Sequence, residues 1–352
     1  MAKVVDFKNT SGQTLYVEVG KPNNLLERTP EIYDNDFDGH AKLALIDVYG
    51  MFFPDGDGTK KPFVYLRHTD VSKNEYRFAN LVELGDDFLS PQKGAYHVDE
   101  IATPETPIIE YQKITENPLV YGFGSEEKLV ECRFHKDYVT MKEGDFFNIK
   151  GEPWSHTIYD HQSVYNNASM IFQPTSWIGS FKGKPILGLG EFDRMFIKEA
   201  VEGFGDIPLG YIAFMGIGIR EDGRKETTFI SISINGVGKT LAYYILEGEQ
   251  PIVTDQVSME ADWTRLPYVD DGTCVFKDAI FRFCDKEIHF EGKWGSKGFT
   301  AKPRVEKHGQ SHVLGTWYEG NKPYKHRLYY TFVENMDAYD YNLEKLGFDI
   351  IG

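Results

Sequence analysis

Residues 176–196 read SWIGSFKGKPILGLGEFDRMF, and residues 312–332 read HVLGTWYEGNKPYKHRLYYTF. Each passage runs through an apolar pair, a Gly, a small hydroxyl residue and an aromatic. Each then turns at a polar Lys-Pro segment and returns in a second apolar or aromatic run. A chain that writes the same hairpin near the end of each half is expected to build the same unit twice. Between the two copies the sequence is a succession of strand-like runs, broken by turn signals roughly every 8–15 residues.

The runs TLYVEVG, AKLALIDVYGMFF and PFVYLRHTDV open the first half, and KLVECRFH and DFFNIKG precede its closing hairpin. GYIAFMGIGIREDGRKETTFISISING, from 210 to 236, restarts the pattern as a hairpin around Glu221-Asp222-Gly223-Arg224. In EIHFEGKW, Ile288 and Phe290 alternate with His289 and Glu291, the period of a half-buried antiparallel strand. The expected class is all-β: two antiparallel units, residues 1–200 and 201–352. The duplicated closing hairpin favours barrels, because closure removes exposed edges. Two stretches read as helical, 192–205 and 335–348. The second would be a short C-terminal helix carrying Tyr339, Leu343 and Leu346 on one face, placed to pad a barrel.

The chain has 352 residues, enough for two domains, and a net charge of −16. So acidic a surface repels phosphate backbones and anionic lipid, which argues against nucleic-acid binding. The 3 cysteines show no CxxC spacing, against a disulfide scaffold or zinc knuckle. No apolar signal segment is visible, and YIAFMGIGI is about half a membrane span. The expected setting is cytoplasmic. Aromatic residues make up 14% of the chain, which suits strands and also suits the lining of an apolar cavity.

The duplicated hairpin, the GEFDR tail of its first copy and the strand-rich halves together resemble the tandem lipocalin-like (calycin) families. These include the hydroxyneurosporene synthase and AttH-like group and the decalin-forming Diels–Alderases. The resemblance covers most of the chain as a pattern. It implies two lipocalin-like barrels with a hydrophobic small molecule held in a barrel or at the seam between them.

Two stretches carry candidate chemistry. EPWSHTIYDHQSVYNN, from 152 to 167, holds Trp154, His156, Tyr159, Asp160 and His161. On a strand His156, Ile158 and Asp160 would share one face, and Tyr159 the other. A His held by a carboxylate shuttles protons near neutral pH, two His and one Asp are also a metal-ligand set, and the same stretch reads as well as a polar loop. GEFDRMF places Glu191 and Asp193 on one side of a closing strand. Inside a barrel a carboxylate there would be desolvated and gain proton affinity, as a general acid requires. Arg194 either polarises a substrate or pairs with these carboxylates and locks the barrel end. The second copy reads KHRLYY and has no such acidic pair, so chemistry is expected in one barrel or at the seam. Trp154, Trp177, Phe181 and Trp317 are either ligand lining or core packing.

Asp34, Asp36 and Asp38 match the first positions of a calcium loop, but Leu45 stands where its bidentate Glu belongs. The loop reads as a solvated acidic turn or a loose carboxylate cage. INGVGKT is not a phosphate loop, since position 233 is Ser and strands flank it. No cofactor is expected. The function read from these features is a non-redox hydratase, isomerase or cyclase acting on an isoprenoid- or polyene-like molecule. A lipid or pigment carrier without catalysis is the alternative, and a carbohydrate-binding β-sandwich a further one.

Overall fold

The computed structural model describes residues 3–9, 17–20, 42–54, 62–70, 77–82, 96–97, 108–112, 119–124, 129–145, 147–160, 168–197, 210–234, 239–297, 310–320 and 328–351. The strands from 17 to 197 form one 13-stranded antiparallel sheet, and those from 211 to 351 an 11-stranded sheet that also takes in Val4–Lys8. The chain is therefore all-β, with two curled sheets in tandem and the short C-terminal helix Asp340–Leu346. No helix among the described residues is long and apolar enough to cross a membrane.

The centre of the first sheet is the pair Ala168–Phe181 and Lys184–Ile197, with Lys42–Phe53 on its far side. Lys182 and Gly183, at φ 49° and 73°, make the two-residue turn between the paired strands. Positive φ at both positions matches the right-handed twist of a tight hairpin. The second copy pairs Gln310–Glu319 with Leu328–Met336 through a longer connection. The repeated Gly has a common cause in both copies. A Cβ on Gly179 would lie 2.0 Å from the Asn148 carbonyl oxygen, and one on Gly315 would lie 2.2 Å from that of Glu291. At this position only Gly lets the neighbouring strand approach.

Each sheet wraps its own core. Val48, Phe52, Phe134, Phe147, Trp177 and Phe192 fill the first. Phe214, Trp263, Phe276, Phe281, Phe290 and Trp317 belong to the second. In the second sheet the strand Ile252–Thr254 runs into Gln256–Arg265 through Asp255 alone, so one edge is led back to the other. Val4–Lys8 pairs with Gln256–Arg265, giving the head of the chain to the second barrel. The helix closes one end of that barrel. Gly347, at φ 100°, caps it, the Phe348 N–H reaches the Leu343 carbonyl at 3.1 Å, and the Phe348 ring packs 5.9 Å from Trp263.

The helix expected over 192–205 is a correction. Residues up to Ile197 continue the closing strand, hydrogen-bonded to a neighbour on each side. The helical period in FDRMF is overridden by pairing that only a sheet supplies, and 198–205 lie outside the described residues.

The barrels pack back to back. Ile158 and Phe172 of the first meet Tyr211, Phe229, Leu241 and Tyr243 of the second. Tyr49, Met51 and Leu189 meet Ile217 and Leu314 beside them. Both faces are outer faces of their own barrels, which explains strands such as Leu241–Leu246 that are buried at every position.

Candidate functional site at the seam

Strand alternation decides what the seam receives. On the closing strand Phe192 points into the first barrel, so Leu189, Glu191 and Asp193 point out of it, toward the second. Glu191 and Asp193 are 1% and 8% exposed. Tyr49, the register partner of Glu191 on the adjacent strand, is buried on the same face. From the opposite barrel the Tyr243 hydroxyl donates to Glu191 Oε1 at 2.5 Å. The other oxygen, Oε2, is buried with no hydrogen-bond partner among the described residues.

Burial pushes the Glu191 carboxyl up from its ordinary value of 4.5 to about 7, and the Tyr243 hydrogen bond opposes the rise. Burial, and then the charges of Glu191 and Asp193, raise both Tyr49 and Tyr243 well above the usual phenol range. Both phenols therefore stay protonated as donors. The result is a buried carboxyl poised near neutrality, one oxygen held by the Tyr243 hydroxyl and Tyr49 beside it on the neighbouring strand, a group able to give or take a proton.

Asp160 continues this face. It is 2% exposed, pairs in register with Met170, and stands two residues from Ile158 in the seam cluster. Tyr159 turns the other way into the first barrel and lies against Gly20. His156 sits half-buried at the edge, with Nε2 3.5 Å from the Gln250 amide of the second barrel. Trp154 packs on the seam cluster. Arg194 shares the inner face of Phe192, its guanidinium carbon 5.4 Å from that ring, so it is separated from Glu191 by the strand itself. Trp177 and Trp317 are fully buried core residues, their indole N–H groups donating to the Tyr49 carbonyl at 3.2 Å and the Ile217 carbonyl at 3.0 Å. Phe181 packs against the first core. The seam thus brings together Asp160, Glu191 and Asp193 with Trp154, and leaves Tyr159, Arg194, Trp177, Phe181 and Trp317 on the barrel interiors. Asp34, Asp36, Asp38 and His161 lie outside the described residues.

Sequence reasoning missed Tyr49, Tyr243 and two further Tyr–Glu pairs. Inside the first barrel the Tyr65 hydroxyl donates to Glu143. Inside the second, Tyr244 donates to Glu226 at 2.5 Å, and burial raises that carboxyl. In LAYYIL the two adjacent tyrosines point to opposite faces and each finds a glutamate, a meeting that no local signal announces. A solvent-open cleft of about 540 Å³ near the helix, lined by Leu266, Val269, Asp270 and Asp340 among others, contains none of the candidates.

No family model matches the chain, and no curated protein matches it in sequence. Among solved structures it is similar to an AttH-like protein of Nitrosomonas europaea, at 11% identity over 88% of this chain and 96% of that one, with a TM-score of 0.44. It is also similar to kievitone hydratase of Nectria haematococca, at 12% identity over 95% of this chain and 98% of that one, also with a TM-score of 0.44.

Proposed function

We propose that the chain is a non-redox acid–base enzyme that hydrates, isomerises or cyclises an apolar small molecule at the seam between its barrels. One observation carries this reading. Glu191 is buried between the two sheets, one oxygen held by Tyr243 from the opposite barrel and the other buried with no hydrogen-bond partner among the described residues. A carboxyl in that setting protonates an alkene or polarised carbonyl, or removes a proton beside one, and its value of about 7 suits both directions at neutral pH. Tyr49 stabilises charge developing on a substrate oxygen by donating its hydroxyl proton, while the Tyr243 hydroxyl holds Glu191 in place. Asp193, buried on the same strand face, adds negative charge beside the two phenols. The apolar wall holds the substrate in a reactive conformer, which supplies several kcal/mol through orientation.

The test uses a panel of isoprenoid and polyketide-like alkenes and enones in D2O, read by mass spectrometry for deuterium or water gain. Wild-type protein is expected to convert at least one member, and Glu191→Gln to be slower by about 100-fold or more. Equal turnover by the two proteins would remove Glu191 from the mechanism. A panel member bound by both and returned unchanged would establish the carrier reading instead.

A further inference from the structure

We propose that Lys239 is a carbonyl-reactive lysine, and that the seam binds an apolar aldehyde or ketone there as an iminium. Lys239 belongs to the Gly-Lys-Thr stretch whose resemblance to a phosphate loop fails, because the strand Leu241–Leu246 follows it. Its position is nonetheless specific. Leu241, Tyr243 and Ile245 face the seam, and alternation extended back by two residues sets Lys239 on that face. It stands four residues before Tyr243, about 13 Å along extended chain. Lys239 is 2% exposed, and its Nζ has no hydrogen-bond partner among the described residues.

The backbone beside it is clamped. The Asn9 side chain accepts from the Thr240 N–H at 2.7 Å and donates to the Thr240 carbonyl at 3.2 Å. Burial lowers the affinity of the amine for its proton, and the charge of Asp160, from the first barrel, opposes that. A buried amine with no hydrogen bond, in the field of one carboxylate of the facing barrel, has the composition of an imine-forming site rather than of a surface ion pair.

The step balances without any added oxidant or reductant. The Nζ lone pair attacks the carbonyl carbon and the C–N bond forms, while the carbonyl π pair goes to oxygen, which takes up a proton from solvent. Nitrogen gives its proton to water, in the field of the Asp160 carboxylate. That proton goes to the carbinolamine hydroxyl, which leaves as water, and the nitrogen lone pair closes the C=N bond. The iminium then has Asp160 as its counter-ion.

The experiment is reductive trapping of the full chain with trans-cinnamaldehyde and cyanoborohydride at pH 7, followed by peptide mapping. Lys239 is expected to label about tenfold or more faster than any other lysine, since each unit by which the amine falls gives tenfold more free base. Lys239→Arg is expected to lose that label, and Glu191→Gln to keep it. The Glu191 variant thereby separates this site from the acid–base reading: loss of turnover with retained labelling overturns neither. Label spread over other lysines with Lys239 unmodified in the wild-type map would overturn the proposal, whether or not Lys239→Arg folds.

Discussion

Glu191→Gln is expected to do two opposite things, slowing turnover about 100-fold or more and stabilising the protein at alkaline pH. In the folded chain the carboxyl titrates at about 7 rather than at 4.5, because ionising it places a charge between two apolar walls. At roughly 1.36 kcal/mol per unit the rise corresponds to about 3 kcal/mol. The sign follows from proton binding. The folded state holds this proton more tightly than the unfolded chain does. The contribution is therefore fully present below 4.5 and is lost as pH rises through about 7. Gln keeps the shape and can still accept from Tyr243, but it does not titrate. Urea unfolding of both proteins from about pH 5 to pH 8 reads the effect, since ionisable groups that do not interact with Glu191 cancel in the difference. The variant should gain on the wild type progressively, by about 2.5 kcal/mol across the window. A gap that stays constant to within about 0.5 kcal/mol would refute the buried-carboxyl argument.

Tyr243→Phe removes the hydrogen bond that favours the ionised form of Glu191, so the limb of the pH–rate profile assigned to Glu191 should move to higher pH; an unmoved limb would mean that the bond does not form. Trp317→Ala empties a fully buried indole site and leaves the Ile217 carbonyl without its donor, which should cost about 3–5 kcal/mol in denaturant unfolding. A loss below about 1 kcal/mol would place that side chain in a ligand cavity instead of the core. Deleting residues 1–9 removes the strand Val4–Lys8 and the Asn9 clamp, and should lower the thermal midpoint of the second barrel although the deleted segment opens the chain.

The architecture was legible because it depends on local chemistry. Alternation in EIHFEGKW, the turn residues of REDGRK and the twice-written hairpin each specify strands without reference to distant contacts, and the sheets follow them. The repeated Gly was visible as a pattern, while its cause, a neighbouring carbonyl within 2.2 Å of any Cβ, was not. The helix expected over 192–205 failed where strand pairing outweighs a local period.

The site divides in the same way. Glu191, Asp193 and Asp160 stood out as carboxylates at alternating strand positions, and alternation alone separates Arg194 from them. The sequence could not say that the outward face of one barrel would be buried by the outward face of another. That docking turns surface carboxylates into desolvated ones, selects Tyr243 from among 21 tyrosines, and buries Lys239 opposite Asp160. Strand type and facing are written into neighbouring residues. Which two faces meet, and hence which protons become hard to lose, is a property of contacts between segments far apart in the chain, and only the tertiary structure decides it.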